Sequence, residues 1–193
     1  MVRPTASNFG RIITPKTGKL SAQHRDYACE LVAKQMGVWV DSPPSFWMER
    51  GIELEPSAIA AYEVDKGVSV DRVGFVLPDD TDAFGGSPDG LVGDDGLLEI
   101  KCPKPERVIR YHGDGTLPDD YRAQVQGLLL ITDREWCDFV AWHPEMQPFV
   151  IRVEPDRKYQ ALMRAALDEF TDALVSLRDS VSAAGVHIIK WGE

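Results

Sequence analysis

Two acidic side chains and a lysine form the arrangement in this chain best suited to chemistry. They sit in Ser87-Pro88-Asp89-Gly90 and Leu98-Glu99-Ile100-Lys101-Cys102-Pro103. Between them, Gly93 to Gly96 is a run of turn formers flanked by short apolar segments, which signals a β-hairpin. Side chains alternate along a strand, so Glu99 and Lys101 share one face while Ile100 points into the opposite, buried face. Counting back from a four-residue loop, Val92 faces Leu97 and Gly90 faces Glu99, which leaves Asp89 one step out of phase. A bulge or twist at Pro88-Asp89-Gly90 is therefore expected, and Gly90 makes it cheap.

With that adjustment two carboxylates and the Ile100 carbonyl offer hard oxygen ligands of the kind Mg²⁺ prefers. Lys101 would stand beside the attacking water. The set suits phosphodiester hydrolysis, in which a divalent ion activates water and clamps the phosphoryl oxygens while an ammonium offsets developing charge. A surface hairpin with Glu99 and Lys101 on its wet face is the alternative reading of the same residues.

Pro88-Asp89 followed by Glu99-Ile100-Lys101 resembles the signature of PD-(D/E)xK nucleases, and the fuller strings resemble the lambda exonuclease or YqaJ-type viral recombinase family. Upstream, Arg50-Gly51-Ile52-Glu53-Leu54-Glu55-Pro56 resembles that family's Gly-x-x-x-Glu helix. Downstream, Tyr121-Arg122-Ala123-Gln124-Val125-Gln126 resembles its Tyr-x-x-Gln-x-Gln helix. Order and spacing match over nearly the whole chain. The resemblance implies an α/β fold with a restriction-endonuclease-like core, a mixed β-sheet flanked by helices, spanning residues 1–193 as one nuclease domain. It implies catalytic roles for Asp89, Glu99, Lys101, Gln124 and Glu55, and a Mg²⁺ held by Asp89, Glu99, Ile100 and Glu55, with Mn²⁺ as a substitute. Glu53 and Glu55 fall on different helix faces, being roughly 200° apart, and the resemblance selects Glu55.

The resemblance also implies a pocket for a DNA 5′-phosphate formed by Ser7, Ser87 and Arg107, with Tyr121 and Lys16 in support. Ser7 belongs to Thr5-Ala6-Ser7, where its plainer role is a helix cap. An Arg that the family carries shortly before this element has no aligned counterpart, Arg3 being too close, so a weaker phosphate preference is expected.

Composition agrees with a compact enzyme. The chain has 193 residues, 44% hydrophobic and 27% charged, enough for one domain with a substantial core. No apolar run approaches membrane-spanning length and no signal-peptide segment is read at the N-terminus, so a cytoplasmic location is expected, in a bacterial host and encoded by a phage or prophage. Cys29, Cys102 and Cys137 are widely spaced and odd in number, which indicates neither a disulfide framework nor a metal cluster. The net charge of −10 argues against a broadly DNA-coated surface. Basic residues are nevertheless grouped: Arg3, Arg11, Lys16, Lys19 and Arg25 precede any acid, and Lys101, Lys104, Arg107 and Arg110 form a second set.

The elements that must position these residues follow from periodicity. Helices are expected over Ser21 to Met36, Ser45 to Lys66 after a Pro43-Pro44 break, Asp119 to Leu130, and Pro155 to Ser180, with Glu106 to His112 a short helix or basic loop. In the second helix Trp47, Ile52, Leu54, Ile59 and Tyr62 form the expected buried face, with Pro56 marking a kink or helix start. In the last, Leu162, Ala166, Phe170, Leu174 and Leu177 form the stripe. Strands are expected within Val68 to Leu77, in the hairpin, over Trp136 to His143 and over Phe149 to Val153. The cleft should lie between the hairpin and the helices bearing Glu55 and Gln124. The family implies a Mg²⁺-dependent exonuclease that degrades one strand of linear duplex DNA from the 5′ end. It further implies a homotrimer and a single-strand annealing partner. An endonuclease of the same superfamily and a non-catalytic DNA-end-binding protein are the alternatives.

Overall fold

The computed structural model describes residues 2–38, 43 and 45–186, so Pro44 of the double-proline break lies outside the described residues. The expected hairpin forms the middle of a five-stranded sheet. Strands β1 (Val70–Asp71), β2 (Gly90–Val92), β3 (Gly96–Lys101), β4 (Trp136–Ala141) and β5 (Phe149–Val153) lie in sequence order. All neighbours are antiparallel except β3 and β4. That parallel step needs a crossover, supplied by helices α3 (Pro105–Asp114) and α4 (Asp119–Thr132).

The hairpin register differs from the sequence expectation by one residue. Gly96 pairs with Val92, Leu97 with Leu91 and Leu98 with Gly90, so the turn has three residues, with Gly93 at φ 56°. Asp89 lies just outside β2, and its N–H donates to Leu98 O, the residue already paired with Gly90, so the chain leaves the regular ladder at Asp89–Gly90, where the sequence calls for a bulge or twist. The positive φ of Gly93 explains why the shorter turn wins, since a three-residue hairpin needs one left-handed position.

Alternation in β3 and β4 splits the interior in two. Leu97, Cys137, Phe139 and Ala141 join the larger cluster with a short 3₁₀ helix (Ala6–Arg11), α1 (His24–Gln35), α4 and the long C-terminal helix α5 (Arg157–Ala183). Leu98, Ile100 and Val140 face the other way, onto Ala58, Ile59 and Tyr62 of α2 (Phe46–Lys66). One helix thus covers one face of the sheet and several cover the other.

Four sequence expectations are corrected here. In α2, Trp47 and Ile52 are exposed, because the N-terminal half of the helix overhangs the end of the sheet and only its C-terminal half packs. Pro56 lies inside an unbroken helix; the carbonyl it deprives of an N–H belongs to exposed Ile52, where water can serve. In α5, Leu162 is exposed and Met163 is fully buried, so the stripe runs through Tyr159, Met163, Ala166, Phe170 and Leu174. The region before the hairpin keeps only the two-residue β1 and a single bridge between Val76 and Gly86, not two strands. All three cysteines are free, and among the described residues no helix is long and apolar enough to cross a membrane.

Candidate active site

The site forms where the sheet frays. β2 stops at Gly90, opposite Leu98, while β3 runs on to Lys101, so the β3 edge from Glu99 onward loses its antiparallel neighbour. Asp89 fills the first vacancy: its backbone N–H donates to Leu98 O at 3.2 Å, and its Oδ2 accepts the Ile100 N–H at 2.6 Å. A side-chain carboxylate thereby replaces the missing strand acceptor, which fixes its direction. Beyond it opens a cleft whose lining includes Glu55, Asp89, Lys101, Arg107 and Tyr121. Because the cleft lies at the sheet's end, α2 reaches it from one face and α4 from the other.

Glu99 is the centre of the arrangement. It is 1% exposed, and its Oε1 accepts from both Lys101 Nζ and, at 2.5 Å, Gln124 Nε2. Its Oε2 is buried with no partner. Burial pushes the Glu99 carboxyl up to about 7, with the Asp89 charge adding to the rise and Lys101 opposing it. Burial likewise raises Asp89 against the pull of Lys101 and the Ile100 N–H. Burial alone would lower Lys101, but the Glu99 and Asp89 charges outweigh it and hold the amine above its usual value. The Lys101 ammonium also lies 5.6 Å from the centroid of the Tyr121 ring. Three groups of opposing sign thus share a space where water screens them little.

Glu55 comes from α2 and Glu53, as expected, is turned to solvent. The Glu55 carboxylate is bound at 2.5 Å by Arg72, a residue that the sequence pattern did not single out. Its charge still reaches both Asp89 and Glu99, raising each. Of the residues expected to meet a phosphate, Arg107 lines the cleft, with its guanidinium 5.7 and 5.9 Å from the Tyr111 and Tyr121 ring centroids and 3.1 Å from Asp120. Its Nε is buried without a partner. Ser7 and Ser87 are exposed and belong to segments set side by side by the Thr5–Gly85 bridge and the Ala6 N–H to Gly85 O bond. Neither serine lines the cleft with Arg107. Lys16 is paired with Asp119 at the start of α4.

Among the described residues no three His, Cys, Asp or Glu side chains converge into a ready metal cage. The donor set still fits a hard divalent cation. Two carboxylates of raised proton affinity, Asp89 half-buried and Glu99 buried with one oxygen unpartnered, form an incomplete electrostatic pair that a cation would complete. Asp89, Glu99 and the Ile100 carbonyl are the residues that could hold it, with Glu55 in reach if its carboxylate leaves Arg72.

The second glutamine of the α4 motif does something else. Gln126 is 3% exposed; its Oε1 accepts from Asp156 N, its Nε2 donates to Glu154 O, and its own carbonyl accepts from Gln160. Roughly 200° round the helix from Gln124, it fastens α4 to the β5–α5 corner while Gln124 faces Glu99.

A family model described as the YqaJ-like viral recombinase domain matches residues 2–135. The chain is similar to the crystal structure of an alkaline exonuclease, LHK-Exo, from Laribacter hongkongensis, with 32% identity and a TM-score of 0.86 over 95% of this chain and 93% of that one. The structure of LHK-Exo in complex with dAMP matches at 31% identity, with the same TM-score and coverage. A phage related exonuclease from Haemophilus somnus 129PT shares the fold, at 17% identity and a TM-score of 0.65 over 90% of this chain and 95% of that one. Comparison with curated proteins gives no match.

Proposed function

The chain belongs to the family of YqaJ-like viral recombinase domains, and from that premise we propose that it is a Mg²⁺-dependent exonuclease degrading one strand of linear duplex DNA from the 5′ end, for phage-type recombination. The observation that carries the reading is Glu99: a buried carboxylate with one oxygen fixed by Lys101 and Gln124 and the other left open beside Asp89. The similarity to LHK-Exo, an alkaline exonuclease, over nearly the full length of both chains supports the activity.

Asp89, Glu99, the Ile100 carbonyl and Glu55 would hold the ion. When bound, it supplies a water-activating Lewis acid and screens the phosphoryl oxygens. Gln124 holds Oε1 of the Glu99 carboxylate, so that Oε2 is left for the ion. Lys101, kept protonated by its two acidic neighbours, orients the attacking water and offsets charge as it develops on the phosphoryl group. Tyr121 packs its ring against that ammonium and limits where it can swing.

At the far side of the cleft Arg107 offers a planar fork for the terminal phosphate, with Ser87 and Ser7 as neutral donors and Lys16 as a more distant cation. Residues 1–193 would act as one nuclease domain. By the family resemblance three copies would enclose the duplex, and a single-strand annealing protein would take up the 3′ overhang; light scattering that gave a monomer at working concentration would refute the ring. The decisive test of the activity uses one linear duplex labelled separately at each 5′ and 3′ end, with and without Mg²⁺, beside a covalently closed circle. Mg²⁺-dependent release of 5′ label from the linear form alone is expected; cutting of the circle would mean an endonuclease, and no cutting at all an end-binding protein.

A further inference from the structure

Behind α2 lies a polar network, built on the buried carboxylate of Asp138 and an exposed Arg152, that the proposed chemistry does not use. Asp138 on β4 is 2% exposed and accepts from three donors: Tyr62 Oη on α2 at 2.7 Å, and Arg152 Nε and Nη2 on β5 at 2.8 and 2.9 Å. The Arg152 guanidinium lies 3.6 Å from the centroid of the Trp136 ring. Burying a carboxylate at this point is a poor way to gain stability, since a well-packed apolar residue of similar volume serves as well or better. Its geometry suggests what it does instead.

Glu55 and Tyr62 are seven residues apart in α2, about 20° short of two full turns and roughly 10 Å along the axis. They therefore share one helix face. Asp138 pairs in register with Leu98, the residue before Glu99. The apolar face of α2 consists of Ala58, Ile59 and Tyr62, too few and too smooth to fix how far the helix slides or turns on the sheet. A bond of defined direction from Tyr62 to a strand residue next in register to Glu99 fixes both. We propose that Tyr62, held through Asp138 and Arg152, is a positioning residue that sets Glu55 at the metal site; this rests on the reading of Glu55 as a metal ligand.

The test measures Mn²⁺ binding to metal-free protein, by the electron paramagnetic resonance of free Mn²⁺, for the unaltered chain, Tyr62→Phe, Glu55→Gln and the double variant. Tyr62→Phe should weaken binding about tenfold, the lower end of what outer partners of metal ligands contribute, with an unchanged far-ultraviolet circular dichroism spectrum. Because Tyr62 acts through Glu55, the double variant should bind no more weakly than Glu55→Gln alone. Losses that multiply in the double variant, or a Tyr62→Phe protein that binds normally while Glu55→Gln binds weakly, would overturn the positioning role alone. Normal binding by Glu55→Gln would instead remove the ligand reading on which it rests. Arg152→Lys loosens the same carboxylate from β5 while leaving the Tyr62 hydroxyl in place, and should weaken Mn²⁺ binding in the same direction; unchanged binding there, with Tyr62→Phe unfolded, would also overturn the proposal.

Discussion

Replacing Glu99 with Gln should abolish cleavage and at the same time relieve the metal-free protein of a burden that grows with pH. The carboxyl is pushed from 4.5 to about 7 in the folded chain, chiefly by burial. At 1% exposure there is little solvent to discount against. A gap of about 2.5 pH units corresponds to about 3 kcal/mol. The sign follows from which state keeps the proton. Below the unfolded value both states hold it, and the contribution to stability is complete. As pH rises above 4.5 the unfolded chain releases its proton while the folded chain retains it, so stability falls, until near pH 7 the folded carboxyl ionises too and the loss levels off. The amide that replaces the carboxyl has no proton to lose, so the stability of Glu99→Gln relative to the unaltered protein should rise by about 3 kcal/mol across that window. For a chain of this size that is a relative gain in melting temperature of roughly 6 to 12 °C. Thermal and urea unfolding in EDTA at several pH values from below 4.5 to about 8 would measure it, and saturating Mg²⁺ at the upper end should reverse it by stabilising only the carboxylate form. A constant difference between the two proteins over the whole window would refute the argument that Glu99 is buried without enough compensation.

Lys101→Ala should lower the cleavage rate by about 10²- to 10³-fold while duplex binding, followed by fluorescence anisotropy in Ca²⁺, persists; near-normal rates would sink the assigned role. Initial rates on matched 5′-phosphate and 5′-hydroxyl duplexes should differ by about 10- to 100-fold, the worth of charge-assisted bonds from one Arg, and Arg107→Ala should erase most of the difference; equal rates with the unaltered protein would mean that the pocket is elsewhere. Gln126→Leu removes the partners of the half-buried Asp156 N–H and of the Glu154 carbonyl, which water can partly replace, and should lower the unfolding free energy by about 1 to 2 kcal/mol in urea titrations.

Much of this site could be read from residue order because strand periodicity is rigid. Glu99 and Lys101 had to share a face, and Ile100 had to be buried opposite them, whatever the rest of the chain did. The partner strand was less legible: whether Gly96 ends the turn or begins β3 depends on a backbone angle at Gly93 that the letters do not encode. The apolar residues at the start of α2 misled for a different reason. Helical spacing says which residues share a face, not whether anything covers it, and α2 extends past the sheet that would have buried Trp47 and Ile52. Arg72 and Asp138 escaped notice because an isolated Arg in a loop and an Asp inside an apolar strand have no pattern of their own. Their partners, Glu55 and Tyr62, are 17 and 76 positions away.

The two sides of the sheet are unequal, and the cleft draws from both. Gln124 and Tyr121 ride on a helix rooted in the larger cluster, whereas Glu55 rides on α2, which rests on a cluster of seven buried residues, only three of them its own. Cooperative units with less buried apolar surface open at lower free energy. Amide hydrogens of α2 should therefore exchange faster than those of α4, and heating should cost this protein its activity some degrees before it costs it its fold. A preparation held in that interval would keep a native-like spectrum, regain function on cooling, and recover sooner when a divalent ion is present to draw α2 back onto the sheet.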